Sequence, residues 1–405
     1  MALLRKSTSP APSGKLSKTA AYYAAFVGLG LTAASLGPTL QGLADQTRTQ
    51  ISQASILFTA VNLGYLLGAL RGGRLYDHRP GHRIQVLALL VMLGMMALVP
   101  VVPVLWLLSA ALVVLGFAEG TLDVGGNTLL VWVHGEKVGP LMNGLHFFYG
   151  VGAFLSPLVV AQAILVTGGI RWAYWLIALA LIPILLYLTR LPSPASPAHE
   201  PYAPAAQPGG GLVILIAAFF FLSVGAETSF GGWIFTYARA THLATEVTAA
   251  YVTSAFWGAF TLSRALAIPI STRVHPRWIL LANQVGCLAS LAAVLIWPAS
   301  PAALWAGACG VGLFSASIIP TLLTLAGRSI RISGQVTGRF FAGGSAGSML
   351  IPWLIGQLVE PAGPRVVIEI IFTATAASLV IFAGLMLRFA RAERPAGEAR
   401  SPGGG

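Results

Sequence analysis

Three carboxylates lie near the middle of long apolar runs of this sequence, and they are the first candidates for chemistry. Glu119 and Asp123 stand at i and i+4, and Asn127 follows at i+8, so these side chains share one face if the run is helical. Glu227 lies in a later apolar run and has no Lys or Arg beside it. An ionised carboxylate costs roughly 2.5–3.5 kcal/mol at the centre of a bilayer. We therefore expect these acids to face a polar cavity, where they can bind a polar solute or a cation.

A histidine in the next apolar run is a candidate partner for Asp123. The chain turns back antiparallel after the first run, and Asn143 and His146 then share a face. At a rise of about 1.5 Å per residue, His146 comes within roughly 3 Å of the depth of Asp123. A carboxylate beside an imidazole is a proton-sensitive pair, so we predict contact between them and choose Asp123 as the coupling residue, with Glu119 as a second candidate. A pair that only ties two helices together is the structural alternative.

Aromatic and amide side chains at helical spacing complete the predicted solute site. Trp233, about two turns after Glu227, offers an apolar face to a sugar ring. The structural alternatives are that Glu227 only bonds Ser223 or Ser254 to pin helices, and that the aromatic residues are packing or interface anchors. No cofactor and no metal site are predicted. The predicted solute-binding residues are Asn62, Tyr65, Asn127, Asn143, His146, Glu227, Trp233 and Trp257.

The composition determines the solvent that surrounds the elements carrying these residues. Apolar residues make up 56% of the 405 residues and charged residues only 9%, whereas soluble domains contain about 25% charged residues. The main solvent must therefore be lipid. The formal charge of +12 does not indicate nucleic acid, because Lys and Arg lie at the ends of apolar runs and form no basic stripe. The predicted partners are a small-molecule substrate, H⁺ or Na⁺ as co-ion and the bilayer, around a monomer.

The apolar runs predict an all-α polytopic membrane protein with about twelve transmembrane helices. A bilayer core of about 30 Å requires about 20 residues per helix. The predicted spans are 19–43, 52–73, 83–102, 106–133, 138–166, 170–190, 211–238, 247–270, 277–298, 302–326, 334–358 and 365–389. Residues 191–210 contain six prolines and a run of glycines, which favours a linker between two six-helix bundles.

The basic residues predict the orientation of these spans. With the N-terminus inside, most Lys and Arg fall in cytoplasmic segments, and the outward segments hold little beyond Arg48, Arg171, Arg239 and Arg365. Both termini are therefore predicted to be cytoplasmic, in a multi-pass protein of the cell (inner) membrane. The predicted organisation is a tail at 1–18, bundles at 19–190 and 211–390 flanking the linker at 191–210, and a tail at 391–405.

The two predicted bundles resemble repeats of each other. Residues 143–157 in span five parallel residues 337–352 in span eleven with a slip of one residue, and the Thr-Leu-Leu at 128–130 matches that at 321–323. Weak parallel repetition is typical of transporters with two bundles related by a pseudo-two-fold axis, which bind solute near the membrane midplane.

A motif between spans two and three resembles a known family. Residues 73–83 read G-R-L-Y-D-H-R-P-G-H-R, which is similar to the G-x-L-x-D-R-x-G-R signature of the major facilitator superfamily, with one residue more than usual between the Asp and the second Gly. Stretches within 119–127, 145–153, 224–233 and 263–273 resemble its sodium-dependent glucose transporter and fucose permease branch. They occur in both halves, so the resemblance covers nearly the whole chain.

The resemblance implies alternating access by rocking of two bundles, sugar-like substrates, and an inward gate at Gly73, Asp77 and Arg83. Arg264, about two turns from the cytoplasmic end of span eight, is predicted to gate through an ion pair, with snorkelling to the headgroups as the alternative. The branch is expected to carry an acid in span one, whereas residues 26–43 contain none. The coupling ion, H⁺ or Na⁺, therefore stays open.

The predicted function is secondary transport of a small polar solute, a sugar or a polyol. Proton-driven export of amphipathic drug-like compounds is the alternative, and it would require a wider apolar cavity. An enzyme is not predicted, since the chain contains no H-E-x-x-H metalloprotease motif, and the absence of a P-loop argues against ATP as the direct energy source. A receptor or scaffold that transports nothing is also compatible with the sequence.

Overall fold

The computed structural model describes residues 12–195, 210–329 and 334–392, and within these ranges all regular structure is helical. The predicted linker falls mostly outside the described residues, as do the ends of both predicted tails. The first bundle consists of α1 (Pro12–Ala33), α2 (Leu36–Thr47), α3 (Ile51–Ala54), α4 (Ile56–His78), α5 (Gly81–Leu98), α6 (Leu105–His134), α7 (Gly139–Thr167) and α8 (Arg171–Thr189).

The second bundle repeats this plan with seven helices. They are α9 (Gly210–Ala240), α10 (Glu246–Ser271), α11 (Pro276–Ile296), α12 (Pro301–Ser315), α13 (Ile318–Ser329), α14 (Gly334–Ala362) and α15 (Val366–Ala392). Short breaks divide three spans into the pairs α1 and α2, α3 and α4, and α12 and α13. Each predicted span overlaps one such helix or pair, so the prediction of two six-helix bundles is confirmed.

The described helices differ in how apolar they are. Nine stretches are long and apolar enough to cross a membrane, and a tenth is added if α1 and α2 count as one bent span. Helices α10 and α14 are long, at 26 and 29 residues, but more polar. These two helices place Arg264, Ser345 and Ser348 in a cavity between the bundles. Their lower apolarity follows from that position, since one face of each helix lines polar space.

The bend in span one seats it against the second bundle. The axes of α1 and α2 differ by 45°. Pro38 has no backbone N–H to donate to the carbonyl four residues earlier. Ser35, in the break, donates its hydroxyl to the Thr32 carbonyl of α1 at 2.7 Å. The bend brings Gly37 against the backbone of Gly232 in α9, where a Cβ atom would collide.

Glycines bring α4 and α6 into backbone contact. Gly64 and Gly68 of α4 lie against the backbone of α6, and Gly120 of α6 lies against the backbone of Tyr65. A Cβ at any of these positions would overlap the neighbouring helix. Small residues allow such close approach in membrane helices, and the approach places Tyr65 beside Asp123.

Hydrogen bonds join the two bundles in the half of the molecule that contains α3. Thr59 Oγ1 of α4 donates to the Met349 carbonyl of α14 at 3.1 Å. Ser52 Oγ, in α3, donates to Glu360 Oε2 of α14 at 2.7 Å, and Gln357 Nε2 donates to the Ser52 carbonyl at 2.9 Å. These contacts hold the two bundles together at this end.

Candidate substrate site

A cavity of about 390 Å³ lies between the bundles and receives side chains from both. Small-molecule sites have volumes of roughly 300–1,000 Å³. The first bundle contributes Glu119 and Asp123 from α6, and the second contributes Glu227 from α9 and Arg264 from α10. Four charged side chains from three separate apolar runs therefore meet at one site.

Asp123 is held by two donors, and the predicted contact with His146 is wrong. The Tyr65 hydroxyl of α4 donates to Asp123 Oδ2, and Asn127 Nδ2 donates to Oδ1 at 3.0 Å. His146 lines the same cavity but packs edge-to-face on Phe26 of α1, with ring centroids 5.9 Å apart. The similar depth of Asp123 and His146 did not determine where the His146 side chain points. The rotation of α7 about its axis turns the imidazole towards α1.

Glu119 lies one helical turn from Asp123 and is more deeply buried. Its side chain is 3% exposed, and Oε1 has no hydrogen-bond partner among the described residues. Thr32 of α1 lies beside it. Buried polar atoms are nearly always paired, so Glu119 Oε1 is suited to accept a hydrogen bond from a bound solute or to contact a bound cation.

Arg264 lines the cavity, and its predicted gating role stays a prediction. Its guanidinium lies 4.8 Å from the centroid of the Phe260 ring, and Nε has no partner among the described residues. Glu227 and Asp123 interact with it electrostatically. In the described chain neither acid forms a direct ion pair with it, so its donors are available to a solute.

Neither serine that was considered as a structural partner for Glu227 bonds it. Ser254 Oγ donates to the Phe154 carbonyl of α7 at 2.7 Å. Ser223 Oγ has no partner among the described residues. Glu227 therefore faces the cavity without being tied to either side chain.

The two tryptophans predicted for the solute site have different surroundings. Trp257 lines the cavity, is 9% exposed, and has an Nε1 with no described partner. Trp233 is fully buried, its Nε1 donates to the Pro352 carbonyl at 3.0 Å, and its ring packs on Phe58. The prediction that Trp233 faces the solute is therefore wrong, because packing between α9 and α14 encloses it.

The other predicted residues divide between cavity and surface. Asn62 and Tyr65 line the cavity, whereas Asn127 supports Asp123 from outside the lining. Asn143 is exposed and does not belong to the lining. The predicted gate residues Asp77 and Arg83 are exposed at the junction of α4 and α5, close to Gly73. Their gating role stays a prediction.

Sequence reasoning missed Tyr149, which lines the cavity with its ring centroid 6.5 Å from that of Trp257. Its position three residues after His146 puts both on one helical face, which was a usable signal.

Residues 343–347 also match the G-x-S-x-G esterase pattern. The serine of that pattern, Ser345, lies within the continuous helix α14, whereas a nucleophile of this type requires a strand-to-helix turn.

Comparisons with known proteins agree with this architecture. A family model described as Major Facilitator Superfamily matches residues 22–352. The sodium-dependent glucose transporter 1A of Mus musculus is 30% identical over 377 residues, which cover 83% of this chain and 88% of that protein. The sodium-dependent glucose transporter 1 of Homo sapiens is 29% identical over 374 residues, covering 83% and 72% of the two chains.

A solved structure, that of the nucleoside transporter NupG, has the same fold. It superposes with a TM-score of 0.74 and 13% identity, covering 93% of this chain and 99% of that one. The resemblance to the superfamily and to its sodium-dependent glucose transporter branch is thus confirmed, and the protein is a multi-pass membrane transporter. Family match, relatives and fold agree on both bundles, and the chain belongs to the Major Facilitator Superfamily.

Proposed function

We propose that the protein carries a sugar or polyol across the cell membrane by alternating access. The observation that carries the proposal is the wall of the central cavity, which combines acids, an arginine and aromatic rings in about 390 Å³. A sugar presents hydroxyl groups and an apolar ring face, and such a wall matches both. The names of the relatives, which include two sodium-dependent glucose transporters, support the same substrate class.

Trp257 is the side chain best suited to recognise a sugar ring. Its ring forms part of the cavity wall, and its Nε1 donor is buried without a described partner. A solute hydroxyl would satisfy that donor while the ring face of the solute packs on the indole. Glu227, on the neighbouring helix α9, would accept hydrogen bonds from other hydroxyls.

Contacts between the bundles favour access from one side. The hydrogen bonds of Ser52 and Gln357 join the two bundles at the end near α3. With both termini cytoplasmic, as the basic residues predict, this end faces outward, and the proposed cycle takes up solute from the cytoplasmic side in this conformation. Rocking of the bundles would break these contacts to expose the site to the outside.

Counterflow of labelled glucose and sorbitol in proteoliposomes tests the proposal. The wild-type protein is expected to exchange at least one of them above empty liposomes. Trp257→Phe keeps the ring and removes the donor, so it is expected to weaken apparent affinity about threefold to tenfold, the value of one hydrogen bond. Trp278→Phe is the matched control, because Trp278 lies 55% exposed on α11, outside the cavity lining.

Two outcomes would contradict the sugar assignment. Equal affinity in Trp257→Phe and wild type would remove Trp257 from the site. Exchange of amphipathic amines without exchange of any sugar or polyol would instead support the alternative of drug export.

A further inference from the structure

Two acids on α6 lie one turn apart and have different surroundings. Asp123 accepts from Tyr65 at one carboxylate oxygen and from Asn127 at the other, the latter at 3.0 Å. Both donors are fixed, one by the close packing of α4 on α6 and one by the helix itself. A cation that bound Asp123 would compete with contacts that are already made.

One carboxylate oxygen of Glu119 has no described partner, whereas both oxygens of Asp123 accept a hydrogen bond. Its side chain is 3% exposed, lines the cavity, and leaves Oε1 without a described partner. The titratable side chains that interact with it are the phenols Tyr65 of α4 and Tyr149 of α7, and α1 presents Thr32. Arg264 interacts with the other two acids instead.

The remaining helices near α6 supply no cation at this depth. On α5 the titratable side chains are His82 and Arg83, both in its first turn. Lys137 lies in the turn after α6, and His146 of α7 lines the cavity but packs edge-to-face on Phe26. Among the described residues, none of these groups balances a negative charge on Glu119.

A buried carboxylate without a partner charge costs several kcal/mol. Its charge must therefore be balanced by something that the cavity admits, and one carboxylate matches one monovalent cation. We infer that Glu119 exchanges the coupling cation, H⁺ or Na⁺, while Asp123 stays a fixed, hydrogen-bonded contact. The inference rests on the proposed transport cycle, but cation binding at Glu119 does not depend on which solute the protein carries.

Ion binding to the purified full-length protein tests the inference without any solute. The melting temperature is measured against NaCl, with choline chloride as the ionic-strength control, and separately against pH. Wild type is expected to respond specifically to one of the two ions, which identifies the cation. Glu119→Gln is expected to abolish that response and Asp123→Asn to retain it. Glu369→Gln, at an exposed acid of α15 outside the cavity lining, is the matched control and is expected to match wild type.

A second variant guards against simple misfolding. Glu119→Asp keeps a carboxyl group and is expected to retain the response at a higher ion concentration. The inference is overturned if Asp123→Asn loses the ion response while Glu119→Gln keeps it, if both variants lose it, or if wild type responds to neither ion.

Accumulation in proteoliposomes supplies the functional readout. A tenfold gradient of the cation supports about tenfold accumulation of solute at one-to-one coupling, since each factor of ten corresponds to about 1.4 kcal/mol. Glu119→Gln is expected to lower the accumulation ratio to unity while solute exchange continues. Concentrative uptake by Glu119→Gln would overturn the inference. An intact ion response in wild type without any sugar transport would refute only the sugar proposal.

Discussion

The two bundles repeat each other as folds, yet they present different chemistry to the cavity between them. The first bundle contributes two acids from α6, Glu119 and Asp123, next to phenol and amide donors. The second contributes Arg264, Glu227 and Trp257. The difference indicates that the repeat determines where the helices lie, while the side chains on them give the two bundles different binding roles. We assign cation exchange to the wall that the first bundle contributes to the cavity (the first wall) and solute recognition to the wall that the second bundle contributes (the second wall).

Arg264→Gln should produce the largest effect on the second wall. Arg264 is the one Arg or Lys that lines the cavity in the described chain, and it interacts with acids from both bundles. The guanidinium can donate two hydrogen bonds to the solute, each worth about 1.5–3 kcal/mol, so we expect solute exchange in proteoliposomes to fall by about a hundredfold or more. Arg264→Lys should recover part of the loss, because it restores charge but not the planar stacking on Phe260. Normal solute exchange by Arg264→Gln would contradict the assignment of solute recognition to the second wall.

Glu227→Gln should weaken solute binding without removing ion coupling. A hydrogen bond to a charged group contributes about 1.5–3 kcal/mol, which corresponds to a rise of roughly tenfold to a hundredfold in the half-saturation concentration for exchange. The ratio of accumulation at saturating solute should stay near that of wild type. If affinity is unchanged and accumulation is lost, Glu227 belongs to the cation site and the comparison between bundles is reversed.

Trp233→Phe should have the smallest effect on solute and act on stability instead. The change removes the hydrogen bond to the Pro352 carbonyl, which contributes about 0.5–1.5 kcal/mol. We expect a lower melting temperature and a solute affinity within twofold of wild type, with Trp257→Phe as the contrasting variant. A loss of affinity equal to that of Trp257→Phe would return Trp233 to the solute site.

Much of the architecture was accessible from the sequence because bilayer thickness and the cost of buried charge leave recognisable patterns. Long apolar runs predicted the spans, and the cost of a carboxylate in lipid predicted that Glu119, Asp123 and Glu227 face a cavity. All three line it. The four-residue spacing of Gly64 and Gly68 is typical of closely packed membrane helices, and α4 and α6 pack in this way.

The partners of these side chains were not accessible in the same way. Helical periodicity gives the face of a residue relative to its own helix, but the rotation of each helix about its axis is set by packing with several neighbours. Asp123 therefore meets Tyr65 rather than His146, and Trp233 is enclosed while Trp257 reaches the cavity.

By itself the sequence determined that this chain lies in a membrane as two repeated bundles and that its isolated acids line a polar space, since both follow from the free energy of placing apolar and charged groups in lipid. Only the tertiary structure decided which acid is held by donors and which is left open. That outcome depends on contacts of a few ångströms between helices distant in sequence, and the composition of a single helix carries no information about them.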